Sequence, residues 1–367
     1  MRLRRAFCLT CYWHQNAFTA HPYPDGRPVA LPAPAAELLD AFGTWSTPEE
    51  AAKTLPAYDP QTVTEAAATL LAHGLLLAEG TPEAERDEHL ARHWEHWVPE
   101  AAFFHYATQH DVYETAGEDD RHDLTADGRP PLFTAYPQAH RVLLPRVPAP
   151  LDAPLGEVLY RRRTHRRFAG RPVPLPALAA LLSTVFGPVD YIDGGGFGAL
   201  FRRTSPQGGA RQELDAYVGI RSVDATAPGW YHYNVREHCL ELLAGGCTAE
   251  ELATLCGGQG WAADACFVVV LVARVERMLV KYRNPRAYRV CLLDAGHLGQ
   301  TFVLTATALG LGPFQTGAFH DTALAARLNL DGVTSVPLYV LGAGLPESTP
   351  DPDARPAGLT AFRHTTL

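Results

Sequence analysis

The sequence predicts an α+β domain preceded by a small helical module, and three observations carry that expectation. Beyond residue 150, short Val- and Leu-rich runs of strand type alternate with amphipathic helical stretches. Within residues 34–77, three helical segments are followed by one short strand. Between these parts Pro130, Pro131, Pro137, Pro145, Pro148, Pro150 and Pro154 crowd together, where neither a continuous helix nor a central strand is possible. A chain of 367 residues suits two domains, at roughly 100–200 residues each. The expected division is a module over 1–100, a Pro-rich linker or arm over 101–150, and a larger domain over 151–367.

In the first part, Pro34 to Phe42 has helical apolar spacing. Thr47-Pro48-Glu49-Glu50 is a capping-box signature with Pro at the first helical position. Asp59-Pro60 opens a third helix through Val63, Leu70 and Leu71 that stops at Gly74, and Leu75 to Leu77 forms a short strand. This order is compatible with a winged-helix outline. The candidate recognition helix, Pro60 to Ala72, holds neither Lys nor Arg, so it lacks the phosphate contacts that DNA reading needs. Peptide capture by strand addition needs no basic face and stays open. In the larger domain Leu155 to Arg163 and Leu175 to Phe186 read as helices. Leu214 to Arg221, Trp230 to Tyr233, Cys266 to Val275 and Val336 to Leu341 read as strands, and Asp294 to Leu309 as a long apolar helix.

Composition narrows the function classes. Apolar residues make up 47 % and charged residues 19 %, with a net charge of −9, so charge gives no reason to expect nucleic acid or an anionic membrane as partner. The longest apolar run, Cys266 to Ala273, falls far short of the roughly 20 residues of a membrane helix. The basic start lacks a sustained apolar stretch and reads as mature protein. Seven Cys, an odd number widely scattered, do not suggest a disulfide framework, so a reducing cytoplasm is expected. His89 and His93 share a helix face, and Cys8 and Cys11 form a Cys-x-x-Cys pair. Neither has the further ligands of a structural zinc site, so no metal is expected. The Trp94 and Trp97 region reads as an aromatic anchor toward the next domain.

Several features point to chemistry. Arg161, Arg162, Arg163, Arg166, Arg167 and Arg171 cluster around Thr164 in an otherwise acidic chain, and guanidinium forks suit bidentate capture of phosphate. A solvated helix end is the plainer reading. Asp193 to Ala199 nominally fits a dinucleotide fingerprint, but it runs into Arg202-Arg203-Thr204-Ser205-Pro206 rather than opening a helix. It therefore reads as a flexible loop. In Ser205 to Ala210, Gly208 and Gly209 would let backbone approach a flat ligand. Lys281 and Tyr282 can both exchange protons, and a dry pocket shared with Arg283 and Arg286 would lower the pKa of the lysine. They also suit a plain surface. Gly310 to Phe319 reads as a helix end followed by free backbone amides, able to donate to an electron-rich ring nitrogen.

In this order the motifs resemble a family. Arg162 to Phe168 resembles the first flavin-phosphate motif of the nitroreductase superfamily, and Ser205 to Arg211 resembles its second flavin loop. Residues 281–319 are similar to the SagB/ThcOx-type peptide dehydrogenases, which oxidise azolines to azoles in ribosomally made peptides. The resemblance implies a nitroreductase-like, FMN-binding fold in an intertwined homodimer, with the flavin between subunits. Arg162, Arg163, Thr164 and Arg166 would hold its phosphate and ribityl chain, with Arg355 or Arg363 as a further phosphate contact. Pro206, Gln207 and Gly208 would come from the partner subunit. Thr316, Gly317 and Ala318 would line the isoalloxazine edge. Lys281 and Tyr282 match the pair that azoline oxidases use to abstract a proton, while a hydride passes to FMN and dioxygen reoxidises it. Asp294-Ala-Gly-His297 would be structural. Gln207, Gln212 and Glu213 depart from the family's usual residues, and Glu213 would bring a carboxylate near the site. The implied partners are a precursor peptide and a cyclodehydratase or other peptide-modifying enzymes. An FMN- and NAD(P)H-dependent reductase of dehydroamino acids or small molecules, and a non-catalytic peptide-recruiting scaffold, remain as alternatives.

Overall fold

The computed structural model describes residues 1–24, 26–109, 129–147 and 149–347. The chain divides into two compact units, Met1–Tyr113 and Glu114–Leu367.

In the first unit, helices Pro34–Ala41, Pro48–Thr54 and Pro60–Ala72 precede strand Leu76–Ala78, which pairs antiparallel with Leu3–Arg5. The starts of these helices are local in origin. Thr47 accepts from the Glu50 amide and Glu50 accepts from the Thr47 amide, at 3.2 and 2.8 Å, so the capping box is complete. Asp59 likewise caps the third helix. Leu38, Leu39, Phe42, Val63, Leu70 and Leu75 bury the inner helix faces against Leu3 and Leu76. A separate antiparallel sheet joins Leu9–His14, Ala17–Pro22 and Val29–Leu31. The His- and Trp-rich segment forms helices Pro82–Trp94 and Val98–Ala107. Trp94 stacks on His105 and meets Tyr106, and Tyr23 packs on Phe103. These aromatic rings thus have partners inside their own unit. Arg4 is buried against Asp87 at 2.9 Å, and Asp87 also accepts the Phe7 and Cys8 amides.

The second unit is built on one seven-stranded sheet in the order Gly312–Thr316, Ser335–Gly344, Phe267–Arg274, Leu214–Ile220, Gly229–Asn234, Cys239–Gly245, Arg141–Leu143. All neighbouring pairs are antiparallel. Both faces are covered, which explains why the central strands read as continuous apolar runs rather than alternating ones. Ala216, Val218, Ile220, Val269 and Leu271 pack under helices Leu175–Phe186 and Arg286–Ala308. Tyr217, Val268, Val270 and Val272 face the other way, against Leu252, Leu255, Leu324 and Leu328.

The structure differs from expectation at two places. Asp190–Asp193 and Ala199–Arg202 pair as a hairpin, so the glycine-rich segment between them is a turn rather than a flexible loop. The long helix begins at Arg286, not Asp294, with Pro285 at its N-cap. Its first turns alternate charged or half-exposed residues with small buried ones, a pattern too weak in apolar content to show the helix period. The proline-rich residues 129–147 lie on the second unit and add its edge strand. Arg277 donates to the Pro131 carbonyl, and the Tyr136 amide donates to Glu241, both at 3.0 Å. All seven cysteines are free. Among the described residues, no helix is long and apolar enough to cross a membrane.

Candidate active site

Two groups of the expected residues lie along the long helix Arg286–Ala308. The first gathers where the Leu155–Arg161 helix ends. Arg162 is its C-cap, with φ −49° and ψ 124°, so the following residues leave the helix extended. The His165 amide donates to the Pro313 carbonyl at 2.9 Å, and a Cβ at Gly312 would stand 2.8 Å from the His165 ring. This contact joins the arginine motif to the Gly312–Thr316 strand. Arg163 donates to the carbonyls of Tyr160 and Arg162, which holds it at the helix end. The guanidinium of Arg166 lies 5.8 Å from the Trp261 ring centre, and Trp261 meets Phe314 edge-on at 4.7 Å. Arg163, Thr164 and Arg166 are exposed and Arg162 is half-buried. Among the described residues none of these arginines has a carboxylate partner, whereas neighbouring Arg161 is paired with Glu157.

The strand of the first group ends in Thr316, which is buried, followed by exposed Gly317 and Ala318. The Ala318 amide is not free: it donates to the Thr316 hydroxyl at 3.0 Å. Expected as a donor to a ring, it instead closes a local turn. The Gln315 Oε1 is buried without a hydrogen-bond donor. It lies where a Cβ at Gly299 of the long helix would approach to 2.9 Å.

The second group joins the Ser205–Arg211 loop to the residues before the long helix. Ser205 meets Thr301 hydroxyl to hydroxyl at 2.6 Å, and the Gly208 amide donates to Asp294 Oδ2 at 2.8 Å. Gly209 has φ +60°, a left-handed conformation that favours glycine. A Cβ there would stand 2.7 Å from Tyr282 Oη and 3.1 Å from Lys281 Nζ. The loop therefore lies directly on the Lys281–Tyr282 pair, and a side chain at position 209 would have to displace the ends of those two side chains. Lys281 is exposed and Tyr282 half-buried, so the single chain does not place the lysine in the dry pocket expected of it. Lys281 Nζ and the Arg211 guanidinium flank the Phe197 ring, at 6.0 and 5.0 Å from its centre. Pro206 lies in the same loop and is exposed. Gln207 accepts from Arg203 at 3.2 Å, while its Nε2 is buried without an acceptor.

Beneath the loop lie two buried carboxyl groups. Glu213 is 0 % exposed and no donor reaches either of its oxygens. Burial and the neighbouring Asp294 carboxyl push its pKa up. Asp294 is also raised, by burial, against the opposing pull of the Gly208 amide and of His297 at 3.4 Å. One proton held between the two carboxyls satisfies both observations.

Thr316, Gly317 and Ala318 are thus gathered with the arginine motif, and Pro206, Gln207 and Gly208 with Lys281 and Tyr282. Arg355 and Arg363 lie outside the described residues. Sequence reasoning missed Phe197 and Trp261 as members of these groups. Arg211 and Gln315 lay inside the motifs singled out, but no role was assigned to either. Phe197 lies in the Asp193 to Ala199 segment, read only as a loop, and Trp261 carries no motif; they reach the site through the hairpin and the short helix Gly260–Ala263.

The nitroreductase family model matches residues 159–345. A protein of Methanocaldococcus jannaschii named as a nitroreductase is 30 % identical over 190 residues, which are 52 % of this chain and 90 % of that protein. The trifolitoxin-processing protein TfxB of Rhizobium leguminosarum bv. trifolii is 25 % identical over 313 residues, 80 % of this chain and 83 % of the relative. Among solved structures, a nitroreductase of Anabaena variabilis superposes with a TM-score of 0.54 at 24 % identity, over 67 % of this chain and 47 % of that one. This chain therefore spans about half of that structure's length, and the likeness concerns the fold.

Proposed function

The chain belongs to the nitroreductase family, and on that premise we propose that it is an FMN-dependent dehydrogenase acting on a ribosomally made precursor peptide, oxidising azoline rings to azoles. The observation that carries this reading is the contact of Gly209 with Lys281 and Tyr282. A proton-exchanging pair laid against a side-chain-free loop suits removal of a proton from a flat ring held over that loop. The likeness to a trifolitoxin-processing protein over most of both chains supports a role in maturation. A cyclodehydratase or another peptide-modifying enzyme would supply the azoline. The N-terminal unit, read as a winged-helix-like module, is a candidate for contact with the precursor.

The residues present fit a flavin mononucleotide. Arg162, Arg163 and Arg166 lack carboxylate partners among the described residues and stand next to Thr164 in the chain, residue types matched to a phosphate. Gln207 Nε2, buried without an acceptor, and the exposed Gly317 backbone could donate to ring oxygens, and Gln315 Oε1, buried without a donor, could accept from a ring N–H or a ribityl hydroxyl. Bound FMN would accept the electron pair that leaves the substrate ring. The chain's own residues hold the phosphate, present a flat loop, and take the proton at Lys281 Nζ or Tyr282 Oη.

A homodimer belongs to the same proposal. The helix leading into the arginine motif leaves Leu155, Leu159 and Tyr160 exposed at 67, 47 and 84 %. A second copy would cover this apolar face and bring its own Pro206–Gly208 loop to the flavin.

The visible spectrum of the purified protein, before and after heat release, tests the cofactor. Flavin bands with FMN released are expected, and a colourless protein that cannot be reconstituted would refute the reading. With an azoline-containing peptide, turnover is read as loss of a pair of hydrogens by mass spectrometry. Lys281→Ala and Tyr282→Phe should each lose turnover while keeping FMN. Arg162→Ala should weaken FMN binding by about 1.5–3 kcal/mol, as expected for a charge-assisted contact. Unchanged occupancy on titration would remove Arg162 from the phosphate site.

A further inference from the structure

We propose that Glu213 and Asp294 form a positioning pair that shares one proton and clamps the Pro206–Arg211 loop onto the long helix. In this arrangement protonated Glu213 donates to Asp294, and Asp294 in turn accepts the Gly208 amide. When the shared proton is lost, the loop is released from Lys281 and Tyr282.

The geometry leaves few alternatives. Glu213 is wholly buried, its backbone carbonyl is held by the Arg274 amide at 2.7 Å, and neither carboxyl oxygen has a donor. An ionised carboxylate in that setting would be uncompensated. The guanidinium of Arg203, just past the end of the Ala199–Arg202 strand, spends its bonded donors elsewhere. They go to the Phe186 and Leu214 carbonyls and to Gln207 Oε1, at 2.8, 3.0 and 3.2 Å. Asp294 is the carboxyl that faces Glu213: burial raises both, the Asp294 charge raises Glu213 further, and a hydrogen bond from Glu213 pulls Asp294 back down.

The loop rests on this pair. Asp294 Oδ2 holds the Gly208 amide at 2.8 Å, and a Cβ on Gly208 would collide with Val290 of the same helix, so backbone and helix are in direct contact. The next residue is Gly209, against Lys281 and Tyr282. The other groups facing the pair are His297 and Cys291 from the long helix, Arg211 from the loop and Arg203 from the strand side. His297 and the two arginines favour the ionised pair. Burial and the absence of a donor at Glu213 oppose it. A second negative charge in this site strains the Asp294–Gly208 contact, because the two carboxylates can no longer share a side.

The consequence for catalysis rests on the flavin reading above, but the clamp itself can be measured without flavin. The test is amide hydrogen exchange of flavin-free full-length protein at pH 6.5 and pH 9, corrected for intrinsic exchange, with the 267–274 strand as internal reference. In the wild type, protection of the 205–211 segment should fall at least tenfold between the two conditions while the reference holds. Glu213→Gln, whose amide donates to Asp294 and does not titrate, should keep its protection at both. Glu213→Leu removes proton and acceptor together and should show weaker protection that does not change with pH. A wild type with no pH dependence in this segment, or a Gln variant with the wild-type dependence, would overturn the proposal. If one variant does not fold, the wild-type profile and the remaining variant still decide. A colourless protein with the expected exchange pattern would sink the flavin reading and leave the clamp standing.

Discussion

Glu213 and Asp215 stand two residues apart at the start of one central strand, both buried, yet the chain treats them in opposite ways. Asp215 receives the Arg277 guanidinium at 2.7 Å and the Thr134 hydroxyl. Burial alone would raise its pKa, but Arg277 and then His232 outweigh that and hold it below the usual carboxylate range. Glu213 has no such cation hydrogen-bonded to it and faces another carboxyl. The lesson is that burial does not by itself settle the charge of an acid. What settles it is whether a donor set arrives with it. Here the donors at Asp215 come from the proline-rich segment and from the short helix Val275–Leu279; Arg277 also donates to the Gln212 carbonyl at 3.0 Å, yet no donor reaches the Glu213 carboxyl.

The largest expected effect breaks the compensated side. Arg277→Ala leaves Asp215 buried and unpaired, and should cost about 3–5 kcal/mol of stability in urea unfolding. The double change Arg277→Met with Asp215→Leu should cost much less, since the unpaired charge, not the lost attraction, dominates. Equal losses in both proteins would contradict this account.

The second effect has the opposite sign. The folded pKa of Glu213 is raised, so its stabilisation is complete below the unfolded value of about 4.3 and is lost as pH rises toward the folded value. That of Asp215 is lowered, so its contribution is present above about 3.9 and is lost as pH falls through the folded value. Glu213→Gln should therefore flatten the decline in stability between pH 5 and 8, and exceed the wild type near pH 8 by about 1–3 kcal/mol. A variant less stable than the wild type at that pH would show that Glu213 is ionised and paired. The smallest effect sharpens the Asp215 side: Thr134→Ala removes one hydroxyl donor and should cost about 0.5–1.5 kcal/mol, with a rise in the acid-unfolding midpoint. No change in either would mean that Arg277 and His232 set the state of Asp215 without help from Thr134.

Much of the secondary structure was legible because its causes are local. The Thr47–Glu50 box, Pro60 after Asp59, and the apolar spacing of Leu175 to Phe186 each act within a few residues. The start of the long helix was misplaced because its first turns bury only small residues such as Ala287 and Cys291, which leave little periodic signal. The hairpin around Gly195 was missed because Tyr191, Ile192, Leu200 and Phe201 on its strands are separated by glycines that suit either a turn or a mobile loop.

The candidate site divides the same way. Arg162 to Arg166, Ser205 to Gly209 and Lys281-Tyr282 could be singled out from the chain alone, because phosphate capture, close backbone approach and proton exchange demand particular residue types. Which of them meet was decided only in three dimensions. Gly209 touches Tyr282 and Gly208 is held by Asp294 because two sheet neighbours, Leu214–Ile220 and Phe267–Arg274, bring distant segments to one end of the sheet. Helix caps and apolar periods are interactions within a few residues and are written in order along the chain. The charge state of Glu213 and the reach of Arg277 depend on what packing places beside them, and only the tertiary structure supplies that.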